Sequence, residues 1–293
     1  MEVKRFDSSD ANVFKYVFDF GDAIAEAVLY RYESFAKRTV LCISVQSGCP
    51  VGCSFCGTGK NFIRNLFGSE IVYQVTYVLE DQKITESSHS CEKFQIMFMS
   101  MGEPFLNYQN VADSIELLHA NYQNAELLVS TVAPRNNENF KQFIDLSKKI
   151  DKIGLQFSIH EAFDEKRDLL IPFKSKYSLR EIRDLGILWN RETSRKVYLN
   201  YCINENNQSD TDINRLKDLF SPSIFNFTFS VICSADETMK DACYRDKDKI
   251  NKVAQSFIGY NVRIFDPAGQ DDIGGGCGQL WYTQQWIKNR VTK

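Results

Sequence analysis

The chain has little of what breaks or loosens a fold: 6 Pro and 15 Gly among 293 residues, and no repetitive tract. Disorder and collagen-like structure are excluded. It has no excess of positive charge, because 35 Lys and Arg face 38 Asp and Glu for a net charge of -3, so nothing overall advertises polyanion binding. No apolar stretch reaches the roughly eighteen residues of a membrane span, and the start, Met-Glu-Val-Lys-Arg-Phe-Asp, has no apolar signal core. The expectation is a soluble cytoplasmic protein, with no membrane contact. Histidine is scarce at 3 residues, but cysteine stands at 9, an odd number in a chain without an export signal. That usage argues against structural disulfides and for thiolate chemistry.

What is present is an ordered globular composition, 43% hydrophobic and 25% charged, long enough to bury a core without covalent staples. No linker and no repeat divides it, so a single domain is expected over 1–293. Within it we read an N-terminal extension (1–38), a barrel region (39–266) and a C-terminal loop and helix (267–293). Apolar and β-branched runs suit strands near 39–45, 94–100, 126–131, 153–158, 197–202 and 226–233. Helical spacing falls between them, near 69–81, 109–122, 138–149, 178–190, 211–220 and 246–257; in the first, Ile71, Val75, Val78 and Leu79 share a face. Sixfold alternation of strand and helix calls for a parallel α/β sheet, best drawn as a partial (β/α)6 barrel. The stretch from Phe14 to Tyr32 reads as an extra strand at the barrel edge. After Asn261 come one more strand-like segment, a Gly274-Gly275-Gly276 loop, and a helix carrying Trp281 and Trp286.

The densest signal is Cys49-Pro50-Val51-Gly52-Cys53-Ser54-Phe55-Cys56, directly after the first barrel strand. Thiolates are the ligands of choice for zinc and iron-sulfur centres. Structural zinc takes four ligands, usually in two separated pairs, and no second pair lies here. A 4Fe-4S cluster on three cysteines leaves one iron open for a substrate or cofactor. The bland alternative is three buried cysteines with no ligand role. The CxxxCxxC spacing, with Phe55 before its last cysteine, resembles the signature of radical S-adenosylmethionine (SAM) enzymes, which are typically partial (β/α) barrels.

The flanks narrow the resemblance. Cys42-Ile43-Ser44-Val45-Gln46-Ser47-Gly48-Cys49, Cys56-Gly57-Thr58-Gly59-Lys60 and Arg64-Asn65-Leu66 look like the RlmN/Cfr family of radical-SAM adenine methyltransferases. So do Met101-Gly102-Glu103-Pro104, Val129-Ser130-Thr131, Ser158-Ile159-His160-Glu161-Ala162 with Arg167 and Pro172, and Asp271-Asp272-Ile273 leading to Cys277-Gly278-Gln279-Leu280. The resemblance implies a 4Fe-4S cluster on Cys49, Cys53 and Cys56, and SAM held by Gly102, Glu103, Ser130, Ser158, Ile159 and His160. Gly102 ends a strand, where barrels place their sites, and would let backbone approach closely; Glu103 could accept the amino group of SAM. Ser130 and Ser158 also end strands, although Ser there is often a helix cap. His160 is preferred as a site residue over His89 and over His119, which falls within a helical stretch.

An adenine ring carbon bonded to two nitrogens is electron-poor, so polar attack on a methyl donor is closed to it. The family's implied answer is a cysteine methyl carrier, matched by Cys277: one SAM methylates the thiolate, and a second yields a 5'-deoxyadenosyl radical that activates the S-methyl group for addition to carbon 2 or carbon 8. Cys42 matches the cysteine that resolves the adduct by a transient disulfide with Cys277, and Glu26 matches the proton acceptor. Without the resemblance, Cys42 in Leu41-Cys42-Ile43 would be read as core. The remaining Cys91, Cys202, Cys233 and Cys243 are read as structural. Expected partners are RNA, ribosomal or transfer, and a reductant such as flavodoxin or ferredoxin, with the chain a monomer.

Some departures bear on the substrate. Only some twenty-five residues precede Glu26, so this reads as a short member without the family's helical accessory domain. Gly269-Gln270 stands where the family has Arg-Gly, and no Asn follows the sixth strand in Phe229-Ser230-Val231-Ile232-Cys233. RNA affinity draws on phosphate contacts; Lys37, Arg38, Arg64, Lys174, Lys176 and the lysines from Lys247 to Lys252 are candidates. Two other functions stay open: the same cluster chemistry on a small nucleotide-like molecule or peptide, and a non-catalytic metal-binding protein.

Overall fold

The computed structural model describes residues 2–58, 61–84, 91–233, 242–266, 271–276 and 278–291. Three antiparallel strands open the chain, β1 (Glu2–Asp7), β2 (Val13–Asp19) and β3 (Ile24–Tyr32), and β3 pairs antiparallel with β4 (Arg38–Ile43). One strand was expected in this extension. The turn at Gly21, which takes a φ of +91°, splits Phe14 to Tyr32 into two strands, and the mostly exposed β1 adds an edge.

A short antiparallel hairpin follows, β5 (Gln46–Gly48) with β6 (Phe62–Asn65), and brackets the cysteine loop. Strand and helix then alternate: α1 (Gly68–Asp81), β7 (Lys93–Phe98), α2 (Tyr108–Asn121), β8 (Glu126–Thr131), α3 (Asn137–Lys149) and β9 (Ile153–Ser158). Two helices come next, α4 (Asp164–Leu170) and α5 (Leu179–Thr193), then β10 (Val197–Cys202), α6 (Asp210–Leu219) and β11 (Phe225–Ser230). A small hairpin, β12 (Ile232–Cys233) with β13 (Ala242–Tyr244), precedes α7 (Lys247–Ser256), β14 (Val262–Phe265) and α8 (Trp281–Val291).

One sheet runs β1-β2-β3-β4-β7-β8-β9-β10-β11-β14 and is parallel from β4 onward. Period-two alternation sorts its side chains. Leu41, Ile96, Leu127, Leu155, Leu199 and Phe227 face the helices and join one continuous core, to which α1 contributes Ile71, Val75, Val78 and Leu79 as its spacing predicts. The opposite set, including Val40, Met97, Leu128, Gln156, Asn200 and Thr228, lines a concave interior with a cavity of about 640 Å³. The sheet curls until Tyr30 on β3 meets the edge of Phe265 on β14, with ring centroids 5.5 Å apart. This is the partial barrel expected from the strand and helix pattern. The helices start where their caps dictate: Ser178 with Glu181 and Ser209 with Asp212 form reciprocal capping boxes at α5 and α6.

Candidate active site

The cysteine loop is built at the carboxyl edge of β4. Gln74 of α1, fully buried, accepts from the Ser44 N–H and donates to the Ser44 carbonyl, both at 2.9 Å, satisfying the backbone where β4 ends. The β5–β6 hairpin then closes the loop's base, with the Cys49 N–H on the Asn61 carbonyl at 2.8 Å. Gly48 takes a φ of +77°, and a β-carbon there would lie 2.0 Å from the Asn61 oxygen, so only glycine admits this approach. Cys49 and Cys53 are partly buried against Val51, Val132 and Ile171. Burial, then the neighbouring Cys56, pushes Cys49 up to about 12, and the same two causes push Cys53 up.

Met101 to Pro104 follows β7. Gly102 has a φ of +97° and its missing β-carbon would sit 2.6 Å from Cβ of Gln46, so the motif is pressed onto the cysteine hairpin. The Glu103 carboxylate is buried and committed to protein donors: Thr131 Oγ1 at 2.6 Å, and the backbone N–H groups of Val132 at 2.8 Å and Phe105 at 3.0 Å. Burial raises it to about 7, against those bonds and the nearby Arg167. The carboxylate therefore ties the ends of β7 and β8 together.

Ser130 and Ser158 end adjacent strands, with their hydroxyls 3.2 Å apart, and Gln156 Nε2 donates to Ser130 at 3.1 Å. Ile159 is fully buried and its N–H donates to the Asn200 carbonyl at 3.0 Å. His160 has a left-handed φ of 58°. Its Nδ1 accepts from the Cys202 N–H at 3.1 Å, its carbonyl accepts from Asn207, and its ring meets Phe55 of the cysteine loop edge-on at 5.1 Å. Burial, then the charge of Arg167, lowers it to about 3, so it is neutral with its proton on Nε2. Arg167, itself buried, forks onto the carbonyls of Tyr177 (2.9 Å) and Val132 (2.8 Å).

Glu26 and Cys42 lie on the interior face of neighbouring strands. The β3–β4 register pairs Val28 with Cys42, so Glu26, two residues from Val28, occupies the next interior position toward the cysteine loop. Cys42 is buried with Val28, Tyr30, Val40 and Ile273, and Met97 and Met99 pack on this group. Its Sγ is 4.0 Å from the Met97 sulfur. Cys277 lies outside the described residues; the residues on either side of it do not. Tyr30 donates to the Gly275 carbonyl at 2.6 Å, and the Gly57 N–H donates to the Gly278 carbonyl at 2.7 Å. Asp271 to Gly276 thus lies along β2 and β3, and Gly278 rests on Cys56, whose Cα a β-carbon there would meet at 3.3 Å. Opposite ends of the chain converge beside the cysteine loop.

Sequence reasoning missed Lys15, fully buried, whose Nζ lies 3.0 Å from Glu26 Oε2. Its signal was a lone cation inside Val-Phe-Lys-Tyr-Val-Phe. It also missed Asn200, whose Oδ1 accepts from Ser230 at 2.6 Å on the cavity wall. His119 is half-buried on α2, and His89 lies outside the described residues. Cys91 and Cys202 are buried. Of the cations considered for phosphate contacts, Lys37 pairs with Glu92, Arg64 with Asp22 and Glu70, and Lys176 with Asp168; Arg38 lies over the Tyr32 ring, and Lys174 is exposed. The side chains of Cys233 and Cys243 lie outside the described set.

A three-cysteine loop after the first parallel strand of a partial barrel defines the radical SAM class, and the pattern of the Radical SAM superfamily matches residues 43–211. A probable dual-specificity RNA methyltransferase RlmN of Pseudothermotoga lettingae is 34% identical, over 94% of this chain and 78% of its own length. The corresponding protein of Finegoldia magna is 29% identical, over 95% and 77%. Among solved structures, a radical SAM methyltransferase from Sphaerobacter thermophilus superposes with a TM-score of 0.78 at 28% identity, over 94% of this chain and 79% of the other. The chain belongs to the RlmN family of radical SAM methyltransferases. Among the described residues no helix is long and apolar enough to cross a membrane.

That family implies a 4Fe-4S cluster and SAM, and the residues present fit both. Partly buried thiols that raise one another's affinity for protons would need a bound cation to ionise, and the iron of a cluster held by Cys49, Cys53 and Cys56 would supply it. Among the described residues no three His, Cys, Asp or Glu side chains are arranged for a single metal ion. A cluster would ask for something else, three thiolates held on one loop. The paired hydroxyls of Ser130 and Ser158 supply donors and acceptors of the kind a ribose or an amino-acid moiety takes.

Proposed function

We propose that this enzyme methylates carbon 2 or carbon 8 of an adenine in RNA, using two SAM molecules and Cys277 as methyl carrier. The observation that carries the reading is the convergence of Cys42, Glu26 and both flanks of position 277 on one wall beside the cysteine loop. The relatives' names give RNA methylation, and a ribosomal or transfer RNA is the proposed substrate.

When bound, the cluster and SAM supply a carbon-centred radical; everything else falls to the chain. Cys49, Cys53 and Cys56 hold the cluster, and Gly102, Glu103, Ser130, Ser158, Ile159 and His160 form the SAM cradle. In that cradle Ser130 and Ser158 offer hydroxyls, Gly102 seats its motif against Gln46 of the cysteine hairpin, and Glu103 and His160 act through the loops they hold. Splitting a difficult transfer through a covalent protein intermediate is a general strategy. Cys42 attacks the Cys277 sulfur, so that the disulfide forms as the bond from that sulfur to the transferred carbon breaks, and Glu26 accepts the proton that the ring carbon gives up. A flavodoxin or ferredoxin delivers electrons, and the chain acts as a cytoplasmic monomer.

The test is intact-mass measurement of the purified enzyme for a methyl group on Cys277, followed by nucleoside analysis of in vitro-transcribed transfer RNA and a ribosomal RNA fragment. Methyladenine in wild-type reactions and its loss in Cys277→Ala support the reading. A Cys277→Ala enzyme that methylates as fast as wild type sinks the carrier, and activity confined to free nucleotides or peptides sinks the RNA substrate.

A further inference from the structure

Lys15 and Glu26 are both fully buried, and their neighbours give the pair an asymmetry. Glu26 Oε1 accepts twice from α8, from the Thr283 N–H at 3.0 Å and the Thr283 hydroxyl at 2.8 Å. Oε2 faces the Lys15 ammonium at 3.0 Å and has no directed hydrogen bond among the described residues. One oxygen is therefore held by α8 and the other by the Lys15 ammonium. The same ammonium donates to the Gly274 carbonyl at 3.3 Å and lies 5.8 Å from the Tyr282 ring centroid.

The register fixes where this happens. Lys15 pairs with Val28 across β2 and β3, and Val28 pairs with Cys42 across β3 and β4, so Lys15, Val28 and Cys42 form one row on the interior face. Glu26 stands one interior step along from that row. A lone lysine in a buried strand has a heavy desolvation penalty that packing alone does not offset. Here it sits where it touches both the proposed proton acceptor and the loop that leads to position 277.

We propose that Lys15 is a positioning residue of the reaction: its ammonium fixes the Glu26 carboxylate at Oε2 and ties it to the Asp271–Gly276 loop. This rests on the proton-acceptor role proposed for Glu26. With the ammonium gone, Oε2 loses the partner that fixes it, and a carboxylate held by Thr283 alone no longer keeps the orientation that accepting a proton requires. Removing the ammonium therefore blocks the late proton-accepting stage and spares methyl loading of the carrier, which needs no carboxylate.

The experiment compares Lys15→Met, Lys15→Arg, Glu26→Gln and the double variant Lys15→Met/Glu26→Gln, all cluster-loaded, on in vitro-transcribed transfer RNA and a ribosomal RNA fragment. Lys15→Met is expected to retain the methyl mark on Cys277 by intact mass while methyladenine formation falls about 100-fold, the scale of a lost general base. Glu26→Gln should fall equally, the double variant no further, and Lys15→Arg should recover part of the loss. Amide exchange of the peptide covering 271–276 should quicken in Lys15→Met without RNA present. Lys15→Met turning over within about threefold of wild type, or losing the methyl mark while Glu26→Gln keeps it, overturns the proposal. Should Lys15→Met fail to fold, the double variant, which removes both charges, carries the test: activity equal to Glu26→Gln supports the proposal, and activity far below it refutes it. A wild type without methyl mark or methyladenine sinks the proposed function itself, a result separate from any of these.

Discussion

Acid should weaken this fold through one histidine. His160 is 4% exposed and held near 3, because burial and Arg167 oppose its protonation. In the unfolded chain the same imidazole takes up its proton near the usual value of about 6.5. Over that window the unfolded state binds more protons, so stability falls as pH drops through about 6.5 and levels only near the folded value. At about pH 5 the unfolded imidazole is almost fully charged and the folded one almost fully neutral, a difference of ~2 kcal/mol relative to about pH 8. His160→Asn is the comparison, since Asn tolerates the left-handed φ of 58° and keeps an acceptor for the Cys202 N–H. Urea unfolding of both proteins at about pH 8 and about pH 5 should show wild type losing ~2 kcal/mol more than the variant. An identical loss in the two proteins would mean that His160 becomes charged in the folded state, and the neutral Nε2 tautomer assigned here would be wrong.

Three further perturbations probe other parts of the site. Gly57→Ala puts a β-carbon 2.2 Å from Gln284 Nε2 and 2.8 Å from the Gly278 carbonyl; iron content and cluster absorbance should persist while the methyl mark on Cys277 is lost. Gly102→Ala forces an L side chain into a φ of +97° and against Gln46, for a loss of about 1–3 kcal/mol in urea unfolding, with weaker SAM binding by calorimetry. Arg167→Lys cannot reproduce the fork onto Tyr177 and Val132. Each buried carbonyl left without a donor costs about 1–3 kcal/mol, which thermal unfolding should register as a clear drop in Tm.

The barrel was largely legible because its signals are local. Six apolar runs alternate with six helical spacings, and each expected strand or helix lies within a few residues of an observed one from β4 to α7. The cysteine loop was legible for the same reason, its three cysteines lying close together in the chain. The N-terminal extension was harder: β2 is buried along almost its whole length, so it gives no alternation to separate it from β3, and β1 is nearly all exposed. Glu103 shows a second limit. Its motif marks a strand end, but whether the carboxylate faces a ligand or, as here, Thr131, Val132 and Phe105 depends on where the neighbouring strand stops. Lys15 and Glu26 were unreadable as a pair because only the β2–β3 register brings them together.

The docking of Asp271–Gly276 and α8 onto β2, β3 and the cysteine loop also dictates a timetable. Neighbouring strands from β1 to β11 can pair in the order in which a ribosome releases them, as domains generally form during synthesis. Glu26, made early, waits for Thr283, and Gly57 waits for Gly278. A nascent chain can therefore possess its barrel long before it possesses the wall that Asp271–Gly276 and α8 complete. Proteolysis just before Asp271 should reverse that order, disarming the enzyme while leaving the barrel standing.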